Sequence, residues 1–166
     1  MIRHVYIDLD ETLIASPENA EDESIYPTTE GTPMLVRPFA HWALTTLQQG
    51  GPLFLYTRAI KSWADSALDR FGLGHFFAHR FYRGQRPPVF PGLNFLIDNE
   101  ALTIQQFEQK LPPDDGWVIK SRPFRGALIP VPVAAFEMDG IDKGPNLMDA
   151  VATIHHHTMM LERLHA

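Results

Sequence analysis

Apolar runs recur along the chain between polar segments rich in Gly and Pro, and their spacing switches between strand-like and helix-like. Ile2–Asp8, with the apolar or aromatic run Val5-Tyr6-Ile7 ending in Asp8, predicts a buried strand. Ser16–Thr32 is polar and acidic, with Glu18, Glu21, Asp22, Glu23 and Glu30 beside Pro17, Pro27 and Gly31. It predicts a long excursion with a small hairpin around Glu30-Gly31. Pro38 suits a first helical turn, and Phe39, Trp42, Ala43 and Leu47 follow at helical spacing until Gly50-Gly51-Pro52. Leu53–Tyr56 is a second buried strand that runs into Thr57. Ile60, Trp63, Ala64, Ala67, Leu68 and Phe71 mark a second helix closed by Gly72. Phe76–Tyr82 predicts a third strand, Arg83–Gly92 a loop, and Leu93–Ile97 a fourth strand followed at once by Asp98-Asn99-Glu100. Beyond it come a short helix over Leu102–Leu111 and strands over Trp117–Lys120 and Leu128–Val133. Pro130 and Pro132 push the last of these to an edge. Asp139–Pro145 reads as a turn. Asn146–Leu164 reads as a final helix with Leu147, Val151, Ile154, Met159 and Leu161 among its apolar residues.

Strands alternating with helices predict an α/β protein, a Rossmann-like three-layer sandwich around a mostly parallel sheet. No repeat or linker divides the chain, so residues 1–166 are expected to form a single domain. Residues 16–34 are expected to be a short flap beside the active site. At 166 residues the chain is long enough for a real core, and its 45% hydrophobic and 20% charged content is that of a soluble globular protein. The net charge of -6 does not point to nucleic acid as a partner. There is no cysteine, which excludes disulfides, thiolate zinc sites and a cysteine nucleophile. No secretory signal is evident, and no apolar run approaches the roughly 18–20 residues that span a bilayer. A cytoplasmic location is the default expectation.

Candidate chemistry gathers at the strand ends. Asp8 and Asp10 share a face if the first strand continues through them, and open α/β sheets bind ligands at that edge. An isolated Asp-x-Asp is more often a turn or helix cap. Here Thr57 and Asp98-Asn99 end two further strands, and parallel strands bring all these ends together. Thr57 offers a hydroxyl to a phosphate oxygen, beside the N–H groups that open the next helix. Asp98 and Asn99 supply the hard oxygen ligands that Mg²⁺ takes.

The run Asp8-Leu9-Asp10-Glu11-Thr12-Leu13-Ile14 resembles the first motif of the haloacid dehalogenase superfamily, most closely the branch of RNA polymerase II C-terminal-domain phosphatases. Leu35-Val36-Arg37-Pro38, Leu55-Tyr56-Thr57-Arg58-Ala59 with Trp63-Ala64-Asp65, and Val131-Pro132-Val133 look like later parts of the same branch. The resemblance implies a fold without a large cap domain and a Mg²⁺-dependent phosphatase. In it Asp8 is the nucleophile, Asp10 the general acid/base and Thr57 a phosphate ligand. Asp8, the Asp10 carbonyl, Asp98 and Asn99 hold the metal. It implies a phosphorylated substrate, a phosphoprotein among the possibilities.

Two departures stand out. The superfamily's third-motif Lys has no counterpart, because no Lys lies between Lys61 and Lys110. Arg86, Arg83 or Lys61 is left to supply that charge. Glu100 stands where the branch usually has a small residue, and reads as an acid in the first turn of a helix. A catalytically weak or inactive phosphate-binding protein on the same fold is therefore an alternative, as is a phosphatase for nucleotides or nucleic-acid ends. His155-His156-His157 fan around a helix at about 100° each and predict a solvated face, not a metal site. Trp42 and Trp63 are expected in the core. Glu11 is given no role.

Overall fold

The computed structural model describes residues 3–17, 27–85, 87, 90–100 and 127–164, with the side chains of 127 and 128 excepted. Among the described residues, five strands form one sheet: β1 (Arg3–Ile7), β4 (Leu53–Tyr56), β5 (Phe77–Phe81), β6 (Leu93–Asp98) and β7 (Ala127–Pro132). Their order is β5-β4-β1-β6-β7, and every neighbouring pair is parallel. The chain runs outward from β1 through β4 to β5, then returns to the other side of β1 for β6 and β7. β1 therefore lies at the point where the winding reverses, the place where such sheets open a crevice at their carboxyl edge. Pro130 and Pro132 lie in β7, the edge strand of the sheet among the described residues, in keeping with their missing N–H groups.

Alternation along the strands divides the core. Val5, Ile7, Leu53, Leu55, Phe95 and Ile97 join one large cluster with the apolar faces of α1 (Ala40–Gln48), α2 (Lys61–Phe71) and α3 (Leu147–Leu164). Tyr6, Phe54 and Leu96, offset by one residue, form a second cluster with Tyr56, Phe81 and Phe90. The predicted helix over Leu102–Leu111 and strand over Trp117–Lys120 lie outside the described residues. Helix α2 ends where Gly72 turns left-handed (φ 66°), a conformation that a Cβ would disfavour.

The excursion after β1 is closed at its base by a short antiparallel pair. Ile14–Ala15 (β2) faces Leu35–Val36 (β3), so the ladder is not at Glu30-Gly31, which instead occupy a turn closed by Thr32 N–H to Thr29 O. Ser62, Ser66 and Arg70, one face of α2 at helical spacing, hold the described end of the excursion. Ser62 Oγ donates to Pro27 O (2.5 Å), Ser66 Oγ accepts from Thr29 N–H (3.0 Å), and Arg70 donates to the Thr29 and Thr32 carbonyls.

Three expectations about helix faces are corrected. Trp42 is 46% exposed, because the buried stripe of α1 is Ala40, Ala43, Leu44 and Leu47 and position 42 falls off it. It lines a groove between α1 and α3 beside Met148, Met159 and Arg3, at the opposite end of the sheet from Asp8. Phe39 is the left-handed residue before α1 (φ 67°) and is exposed. Met159 is exposed on α3, whose buried residues are Leu147, Ala150, Val151 and Ile154. Trp63 is buried as expected. Phe76 belongs to a short 3₁₀ turn (Gly74–Phe76), so β5 begins one residue later than the pattern suggests.

Candidate active site

The site begins where β1 stops pairing. Asp8 N–H still donates to Ile97 O (3.0 Å), so Asp8 stands at the end of the β1–β6 ladder next to Asp98. The backbone then folds back on itself: Leu13 N–H (2.9 Å) and Ile14 N–H (3.2 Å) donate to Leu9 O, and Glu11 N–H donates to Ile14 O (2.7 Å). Leu9 is fully buried and pins this turn to the core. Glu11 takes a left-handed conformation (φ 59°), uncommon for a residue with a side chain and a form of local strain.

Thr12 is fully buried and organises the acids. Its hydroxyl lies 3.1 Å from Asp8 Oδ2 and 3.0 Å from Asn99 Oδ1. Trp63 Nε1 lies 3.5 Å from Asp10 Oδ1 and so links α2 to the second aspartate. Asp98 is 1% exposed; its Oδ1 accepts Glu100 N–H (2.8 Å), while Oδ2 is buried without a hydrogen-bond partner. Asn99 Nδ2 donates to Glu11 Oε2 (2.9 Å). Glu11, given no role from the sequence, is thus part of the rim. Nothing local signals this, since it depends on the backbone conformation at Glu11 and on the arrival of β6.

Loss of hydration raises the Asp8 carboxyl well above its ordinary range, and the charges of Asp98 and Asp10 push it further; the Leu9 N–H and the Thr12 hydroxyl oppose this. Burial pushes Asp98 up to about 6, with the Glu100 charge adding to the rise and Arg58 opposing it. Glu11 is raised by burial first, then by Glu137 and Glu100. Acids that disfavour their own ionised forms, one with an orphaned buried oxygen, fit a bound cation with oxygen preference. Among the described residues no three carboxylates or imidazoles form a ready-made metal cage. The donors on offer are two side-chain acids, an amide oxygen and loop carbonyls.

Thr57, 3% exposed, ends β4 on the other side of β1. Its Oγ1 accepts Ala59 N–H (3.0 Å), which leaves the hydroxyl hydrogen for another acceptor. The three cations named from the sequence divide. Lys61 pairs with Asp65 (2.5 Å), which also receives Arg80 (2.6 Å) and the Tyr82 hydroxyl (2.5 Å). Arg83 clasps the backbone behind Thr57, with Nε donating to Arg58 O (2.6 Å) and its own N–H to Ala59 O (3.0 Å). Arg86 lies outside the described residues. His155 and His156 are exposed on α3, in keeping with a solvated face, whereas His157 is half-buried with its ring 6.2 Å from that of Phe95.

The raised carboxyls set a direction for stability. Asp98 binds its proton more tightly folded (about 6) than in its ordinary state (3.8), so its contribution is fully present below the unfolded value and is lost as pH rises through about 6. Asp8 acts in the same direction. In a chelating buffer the melting temperature is expected to fall between about pH 4 and about pH 6. A calorimetric scan series showing a rise over that interval would contradict the electrostatics described here.

A parallel sheet with an Asp-x-Asp turn at its switch-point strand, a Thr at the next strand end and an acid at the opposite one defines a haloacid dehalogenase-like fold. Solved structures agree. A haloacid dehalogenase-superfamily hydrolase from Ehrlichia chaffeensis superposes with TM-score 0.58 at 13% identity, over 92% of this chain and 96% of its own. A haloacid dehalogenase-like hydrolase from Streptococcus pneumoniae gives TM-score 0.54 at 11% identity, over 92% and 98%. An uncharacterized protein from Listeria monocytogenes gives TM-score 0.53 at 14% identity, over 98% and 99%. No curated protein matches in sequence. The sequence itself matches the NLI interacting factor-like phosphatase family over residues 3–92, and the chain belongs to that family. The matched stretch contains Asp8, Asp10 and Thr57 and stops before Asp98 and Asn99. No described helix is long and apolar enough to cross a membrane.

Proposed function

We propose that this phosphatase hydrolyses phosphate monoesters in two steps through an aspartyl-phosphate on Asp8, with Asp10 as the general acid/base and Mg²⁺ as cofactor. The observation that carries this reading is the orphaned, buried Oδ2 of Asp98 beside an Asp8 whose carboxyl is held above its normal range. Asp8, the Asp10 carbonyl, Asp98 and Asn99 would hold the ion. When bound, Mg²⁺ supplies positive charge that keeps Asp8 ionised and offsets charge on the phosphoryl oxygens.

The remaining work falls to the chain's own groups. An Asp8 oxygen forms a bond to phosphorus as the ester P–O bond breaks, and Asp10 gives its proton to the departing oxygen. Asp10 then takes a proton from water, whose oxygen attacks phosphorus. The bond to Asp8 breaks, and inorganic phosphate leaves. The Trp63 indole N–H orients Asp10, and Thr12 holds Asp8 in place. Thr57 donates to a phosphoryl oxygen.

Turnover of para-nitrophenyl phosphate tests the reading. Hydrolysis is expected to disappear in EDTA and return with Mg²⁺. A folded protein that ignores both would favour the non-catalytic phosphate-binding alternative, which the absent third-motif Lys motivates.

A further inference from the structure

Phosphoryl transfer needs a cation on the phosphate oxygens, and the expected Lys is missing. The structure brings a different residue to the place. Arg58 directly follows Thr57 at the end of β4, and Glu100 directly follows Asn99 at the end of β6. β4 and β6 are the two neighbours of β1. The ion pair between Arg58 Nη2 and Glu100 Oε2 (3.2 Å) therefore spans the end of the strand that carries Asp8. Both side chains are about half exposed, at 50% and 51%. An exposed pair of this kind contributes little to stability, so exchanging one partner is cheap. The Arg58 charge also reaches Asp98, where it opposes the rise in that carboxyl.

The backbone under Arg58 is held from two directions. Ala59 N–H is tied to Thr57 Oγ1, and Arg83 donates to the Arg58 and Ala59 carbonyls. The backbone is fixed, and the half-exposed guanidinium stands at the rim with Glu100 as its ion-pair partner. A guanidinium fork matches phosphate oxygens in pairs, and a phosphate dianion offers more charge than the single carboxylate of Glu100.

We propose that Arg58 is the phosphate-binding cation of this site, in place of the third-motif Lys. Glu100 is its resting partner and is displaced when the phosphoryl group enters. The inference rests on the phosphatase reading above. It makes Glu100 a competitor for the substrate's place, present only while the site is empty, and makes Arg83 the residue that positions Arg58.

The test uses the full chain with Mg²⁺, para-nitrophenyl phosphate as substrate and inorganic phosphate as the binding probe. Arg58→Ala is expected to lower kcat/KM roughly 100-fold. It should also remove the rise in melting temperature that inorganic phosphate gives the wild type. Arg58→Lys should recover part of the phosphate binding, with a point charge in place of a fork. Glu100→Gln should lower KM and strengthen inhibition by inorganic phosphate. Arg58→Ala within about twofold of wild type on both readouts overturns the proposal. So does a Glu100→Gln variant that binds phosphate more weakly, or a wild type whose melting temperature ignores phosphate. A wild type that binds phosphate without turnover removes the phosphatase reading alone, because the loss of binding in Arg58→Ala still reports on Arg58.

Discussion

Asp8→Asn is expected to abolish turnover and, in metal-free buffer, to raise the melting temperature. The amide has nearly the shape of the carboxylate but no nucleophilic oxygen, so the loss in kcat should reach about 10⁴ or more. The gain in stability comes from the same residue. Asp8 is desolvated and repelled by Asp98 and Asp10, so its ionised form is disfavoured in the folded protein. A neutral amide removes that repulsion, and its carbonyl still accepts the Thr12 hydroxyl. The fall in melting temperature between about pH 4 and about pH 6 should shrink as well, since the Asp8 carboxylate that repels Asp98 is gone. Steady-state kinetics and calorimetry on one preparation read both signs. Retained turnover would move the nucleophile elsewhere. Lost turnover with a lowered melting temperature would mean that the carboxylate stabilises the metal-free fold, against the electrostatics described above.

That opposition of signs is what a site built for charge looks like when its counter-charge is absent. Asp98 keeps one oxygen unsatisfied, and Asn99 is shared between Thr12 and Glu11. The orphaned Asp98 oxygen is poor for folding alone and has the chemistry to receive a cation.

The strand ends were legible from the sequence because they depend on local pattern. An apolar run that stops at a polar residue marks both the element and its chemical end, as at Asp8, Thr57 and Asp98. Parallel pairing then gathers those ends whatever their separation along the chain. Trp42 was not legible, since shifting a helical stripe by one residue moves a large side chain to solvent while the periodicity still looks right. Glu11 was hidden because its direction depends on a left-handed φ that the turn Leu9–Ile14 imposes. Arg58 and Glu100 were hidden for a topological reason. Their meeting requires that β4 and β6 both flank β1, and local periodicity carries no information on strand order. For the same reason the sequence offers Lys61, on the helix after Thr57, and Arg83 and Arg86, in the loop before β6, for the missing charge, and does not point to Arg58.

Arg37→Ala is expected to reduce stability by about 3–5 kcal/mol in urea denaturation, the range for removing one member of a buried ion pair. The Arg37 side chain is fully buried and Asp142 is only 14% exposed. Arg37 Nε donates to Asp142 Oδ1 (2.8 Å), Nη2 to Lys143 O (3.2 Å) and Nη1 to Thr12 O (3.3 Å), with the guanidinium over the Phe136 ring. Its own N–H reaches Leu13 O (2.8 Å), and Phe136 N–H reaches Glu11 O (2.7 Å). One residue therefore joins the turn that follows Asp8 to β3 and to the segment before α3. Truncation leaves a carboxylate and two carbonyls without that donor, a larger loss than Asp142→Asn, which keeps an acceptor for Nε. Because Thr12 anchors Asp8, the same truncation should lower kcat more than it raises KM for para-nitrophenyl phosphate. A stability loss below about 1 kcal/mol would mean that the three segments hold one another without Arg37. The buried arginine would then be a passenger of the turn and not its anchor.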